Sequence, residues 1–134
     1  MKNLKMAIKL FLIGYLVATT VGFATYYINI DLMWITIFTL MPVVFGYLFY
    51  QYLKRSKCEV SEILKETNRL ILLWIVLSFL LDALVYIIIV PVLYRHKPNW
   101  TFFIDQSPWR WLNYMTIFVL GHISRLIYLK KSHE

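Results

Sequence analysis

LILLWIVLSFLLDALVYIIIVPVLY, residues 70–94, is apolar enough to sit in lipid along its whole length except for one carboxylate, Asp82, close to its middle. A run of this kind reads as a membrane-crossing helix, because about 20 apolar residues rising 1.5 Å each span a hydrocarbon core. Working outward, three more runs of similar length lie at about 6–28, 32–53 and 109–129. The expected fold class is therefore all-α, an integral membrane four-helix bundle forming a single membrane domain over residues 1–134.

Composition agrees. Mean hydropathy is +0.64, and 60% of residues are hydrophobic, more apolar surface than a soluble core of 134 residues can hide. The single cysteine, Cys58, excludes a disulfide framework and any multi-cysteine metal site, and neither a cofactor nor a metal is expected. The basic start followed by an apolar run resembles a signal peptide, but the run is long and no Ala-x-Ala site follows it, so it reads as a retained first helix.

Orientation follows from the 14 Lys and Arg. Lys2, Lys5 and Lys9 open the first span, Lys54, Arg55, Lys57, Lys65 and Arg69 lie between spans two and three, and Arg125, Lys130 and Lys131 end the chain. Only Arg95, Lys97 and Arg110 lie on the other side. Basic residues in short loops resist translocation, so both termini are expected in the cytoplasm, in a bacterial cytoplasmic membrane. The net charge of +7 is on this reading a topology signal, and no nucleic-acid partner is expected.

Between spans, a tight outer turn forms around Asn29 and Asp31, residues 54–69 form a cytoplasmic helical loop, and residues 95–108 form an outer aromatic loop expected to lie flat at the interface. Ser56 with Glu59 fits a capping box, with Glu62, Lys65, Glu66 and Arg69 on a solvated face. Ser107 followed by Pro108 reads as the N-cap and first position of span four. Pro42 removes a backbone bond within span two and predicts a kink. Gly14, Ala18 and Gly22 form a small-residue ridge on span one, read first as packing within the chain and second as a homodimer seam.

Asp82 is the costly residue, at about 2.5 to 3.5 kcal/mol for an acid at mid-membrane. It lies about twelve residues, or roughly 18 Å, from the inner end of its span. The same arithmetic places Thr19, Thr20, Thr39 and Thr116 near that depth and predicts a polar layer in which hydroxyls satisfy the acid. His122 and Arg125 lie one turn apart on span four, nearer the cytoplasm, and suggest a relay from Asp82. In the structural reading the layer fixes helix register; in the functional one, Asp82, Thr20, Thr39, Thr116, His122 and Arg125 bind substrate or protons.

In size and four-span layout the chain resembles the small multidrug transporters and the translocases of lipid-linked sugars. It lacks the first-helix acid of the former and the Asn and aromatic pattern of the latter, so no residue role follows. The leading expectation is transport of a small solute or lipid-linked substrate. The alternative is a non-catalytic accessory or regulatory subunit of a larger membrane complex. Expected partners are the lipid bilayer and either a second copy, as a homodimer, or an unlike membrane protein. An enzyme is not expected, since His96, Asp105 and Ser107 in the outer loop show no spacing of base and nucleophile.

Overall fold

The computed structural model describes residues 1–132. Its long helices are α1 (Leu4–Tyr26), α2 (Ile30–Arg55), α3 (Ile63–Asp82) and α6 (Trp109–Ser132). Helix α3 continues as a π-helical segment, Ala83–Ile89, into a last turn, α4 (Val90–Leu93), so the third span is one rod. A one-turn helix, α5 (Phe102–Asp105), sits in the loop before α6. The four rods are long and apolar enough to cross a membrane, and no strand occurs among the described residues. Around the bundle the order is α1, α2, α6, α3, with α1 and α3 the most sparingly packed neighbours.

Local chemistry sets the ends. Asn3 caps α1 by accepting from the Met6 amide at 3.0 Å, and Asn29 caps α2 by accepting from the Asp31 amide at 2.7 Å. Lys54 and Arg55 close α2 where its dipole favours cations. Ser56 does not start a helix as the capping-box pattern suggested. It ends α2, its hydroxyl donating to the Tyr52 carbonyl at 2.7 Å, and Lys57 at φ 47° turns the chain away. Similarly, α6 starts at Trp109, one residue after Pro108, so Ser107 stands outside the capping position expected of it.

The π-helical segment runs directly into the turn that carries Pro91. Pro91 has no N–H to give the Ile87 carbonyl, and that carbonyl accepts instead from the Asn99 amide at 2.9 Å. The chain beyond Tyr94 is thereby drawn back along α3. The aromatic loop does not lie flat: Phe102 is buried, stacking on Tyr86 at 5.1 Å between ring centroids, and Phe103 stacks on Phe79 at 4.8 Å. Trp100 is left outside at 75% exposed.

The two halves of the bundle differ. Toward the termini the core is solid: Trp74, fully buried, meets Phe11, Phe45 and Phe49, and its indole N–H donates to the Ala7 carbonyl at 3.2 Å. Glu66 is buried here too, not on the solvated face expected for it. Tyr52 donates to its carboxylate at 2.5 Å and the Lys2 amide at 2.7 Å, which offsets the cost of burying the charge. Gly14 faces Leu48 and Phe45 of α2, so this part of the small-residue ridge is spent on packing within the chain.

Gly121 lets α6 pack against α3 without a side chain between them, since a Cβ there would lie 2.4 Å from Ile71 Cγ1. Gly46 has no neighbour nearer than 3.9 Å to such an atom. Gly121→Ala should therefore destabilise the bundle by about 1–3 kcal/mol, while Gly46→Ala should leave it nearly unchanged. Thermal unfolding of both variants in a neutral detergent checks the contrast, and equal effects would contradict the packing described.

Candidate functional site

In the half away from the termini, the helices part around a cavity of about 480 Å³. Tyr15, Thr19 and Gly22 of α1 line it, with Met33, Ile37 and Met41 of α2 opposite. Asp82 and Tyr86 contribute from the third span and Arg110, Asn113 and Ile117 from α6. His96, Lys97, Asn99 and Gln106 of the loop stand at its mouth. A volume of this size falls within the range of about 300–1,000 Å³ common for small-molecule sites.

Asp82 is the centre of the polar wall and is only 2% exposed. Its Oδ1 accepts from the Tyr15 hydroxyl at 2.9 Å. Its Oδ2 accepts from the Tyr114 hydroxyl at 2.7 Å and from Arg110 Nη1 at 3.3 Å. Three donors from two other helices thus serve one carboxylate, the arrangement a buried charge requires. Arg110 is itself 9% exposed and lies among aromatic faces, its guanidinium carbon 5.0 Å from the ring centroid of Tyr86 and 5.1 Å from that of Phe102. Such faces attract a desolvated cation through the ring quadrupole.

The partners of Asp82 are therefore tyrosines and an arginine, not the threonines expected from depth. The Thr39 hydroxyl donates to the Ile35 carbonyl at 2.8 Å, and that of Thr116 to the Leu112 carbonyl at 2.9 Å, each within its own helix. Thr20 is exposed. Depth along a helix does not fix rotation about it, and all three threonines point away from the acid. Thr19, the fourth threonine expected at that depth, does line the cavity.

His122 and Arg125 are also not brought to Asp82. Tyr114 pairs with Asp82 across α6 and α3, which leaves His122 eight residues further along, about 12 Å by helical rise. There it packs edge-on against Phe118, with ring centroids 4.7 Å apart. Arg125, a further turn on, is half-buried. In the outer loop, Asp105 accepts from the Thr101 hydroxyl at 2.8 Å, and no hydrogen bond joins His96, Asp105 and Ser107 among the described residues. Nor is any group of His, Cys, Asp and Glu side chains there arranged to hold a metal ion.

Sequence reasoning missed Arg110, counted only as an outer-side cation for orientation, and the two tyrosines. One signal was present: Arg110 and Tyr114 are one turn apart on α6, so a buried face carrying one carries both. Comparison with known protein families, curated proteins and solved structures finds no match for this chain.

Asp82→Ala leaves the Arg110 charge buried without its partner and should lower stability by about 3–5 kcal/mol. Removing both charges, with Asp82→Ala and Arg110→Leu together, should cost less than the sum of the single changes. A double-mutant cycle by thermal unfolding measures this coupling, and additive losses would show that the pair does not interact.

Proposed function

We propose that the protein is an integral membrane carrier that binds a small amphipathic molecule in the four-helix cavity. The observation that carries this reading is the buried Asp82–Arg110 pair set in the wall of a largely apolar cavity. Intramembrane ionisable residues are costly and gather where polar groups of a substrate must be met inside the membrane. The rest of the lining, including Phe23, Met33, Ile37 and Phe45, suits a hydrocarbon body.

The seam between α1 and the third span supports entry from the lipid side. In this half it is bridged by long side chains: Tyr15 to Asp82, Phe23 against Tyr86 at 5.9 Å, and the Tyr27 hydroxyl to that of Tyr94. Contacts through side-chain tips part more readily than interlocked helix faces, because few packed atoms are lost when they separate. The adjoining π-helical segment is a feature frequent at functional sites. With the termini in the cytoplasm of a bacterial cell, as the basic residues direct, the cavity opens outward.

Native mass spectrometry of the protein released gently from its own membrane tests the reading. Wild type should retain a bound small molecule. Gly22→Leu, which places a side chain into the cavity where only Ile37 Cδ1 lies within 4 Å at 3.8 Å, should fold and lose it. In proteoliposomes the same variant should lose transport of the retained compound. A defined complex with an unlike protein and an empty cavity would overturn the proposal in favour of an accessory subunit.

A further inference from the structure

We infer that the ligand of this cavity carries an oxyanion head, phosphate or carboxylate, on its apolar body, and that Arg110 is the residue that grips the head. The inference rests on the proposed binding role of the cavity and specifies the chemistry it selects. Its observation is the unfinished bonding of the guanidinium. Arg110 offers five N–H donors, yet among the described residues Asp82 is met through Nη1 alone at 3.3 Å, and beside it the guanidinium has only the neutral Tyr86 hydroxyl as a further, weaker acceptor. This is not the two-bond fork that arginine and carboxylate form when the pair is closed. Nε has no hydrogen-bond partner among the described residues although it is buried.

A buried donor without an acceptor is destabilising, so a nine-tenths buried arginine with an unfilled fork is an arrangement made whole by a ligand. Asp82 has no matching deficit, because both of its oxygens already accept hydrogen bonds. The vacancy is on the cationic side alone. Charge at the mouth has the same sign: Lys97 is exposed there beside His96, and among the described residues no Asp or Glu other than Asp82 lines the cavity. An anion approaching from this end meets first a mobile cation and then the fixed planar one. The walls toward Met41, Phe45 and Ile117 offer no charge and would take the hydrocarbon part.

The test is direct binding to the full chain in dodecyl maltoside, measured by isothermal titration with decyl phosphate, decanoate, decanol and inorganic phosphate. Decyl phosphate or decanoate should bind saturably and at least about tenfold more tightly than decanol, the effect of one charge-assisted hydrogen bond. Lys97→Ala, at an exposed position, should weaken the anionic ligand several-fold and leave decanol unaffected. Arg110→Lys, which keeps the charge and removes the fork, should abolish the preference for the anion; its folding is monitored by thermal unfolding, and Lys97→Ala carries the test if it fails to fold. Equal binding of decanol and the anions would overturn the inference while sparing the amphiphile-binding role. Failure of every decyl compound to bind would overturn both. Inorganic phosphate binding as tightly as decyl phosphate would show a free oxyanion as the ligand and overturn the apolar body.

Discussion

Two opposite charges held in a low-dielectric interior constrain everything around them. Leaving either Asp82 or Arg110 alone there would cost several kcal/mol, so the chain must bring them together and supply further donors. The cation cannot come from within the third span itself, and it is delivered by the start of α6. That delivery depends on the fold-back after Tyr94, in which the carbonyl left without a donor by Pro91 captures the Asn99 amide. Phe102 and Phe103 then seat the returning chain on Tyr86 and Phe79, and Arg110 arrives beneath the same aromatic roof. Proline, loop and ion pair form one chain of consequence.

The division of the bundle follows from where bulk is placed. Toward the termini Trp74, Phe11, Phe45, Phe49 and Tyr52 fill the space between helices, and Gly121 lets α6 close onto α3. In the other half the stretch of α1 between Tyr15 and Phe23 presents Ala18, Thr19 and Gly22 to the interior, too small to fill the space between the helices. The same ridge that packs tightly at Gly14 thus opens into a cavity two turns later. A filled half can hold the bundle together while the hollow half moves, since local stability tracks buried apolar contact. The exposed apolar side chains around both halves, such as Leu16, Val43, Leu72 and Leu126, match a hydrocarbon surrounding.

Much of the fold was legible in the sequence. The four spans were readable from composition and length, since apolar runs near 20 residues admit few other structures, and the cost of Asp82 was visible from its neighbours alone. What was not legible depends on rotation and return. Thr39 and Thr116 share a depth with the acid but turn their hydroxyls to their own helices. Arg110 looked like an outer-side cation at the head of span four because nothing in the linear order says that residues 95–108 fold back. Glu66 reads as a surface acid until Tyr52, fourteen positions earlier, is seen to reach it. Ser56 fits both ends of a helix by residue type, and the left-handed backbone at Lys57 decides between them. For Arg110 and Glu66 pairing across elements outweighed a local pattern, and for the threonines and Ser56 helix rotation and backbone conformation did.

Thiol labelling separates the hollow half from the filled one most directly. Cys58 is buried and burial pushes its thiol up, so it contributes little background at neutral pH, and Cys58→Ser removes it altogether. In that background Asn113→Cys places a thiol on the cavity wall and Ala7→Cys places one in the packed core. A small membrane-impermeant reagent applied to sealed vesicles of each orientation should label position 113 from the side opposite the termini and leave position 7 unmodified. Labelling of both positions, or of neither, would contradict a bundle solid at one end and open at the other around Asp82 and Arg110.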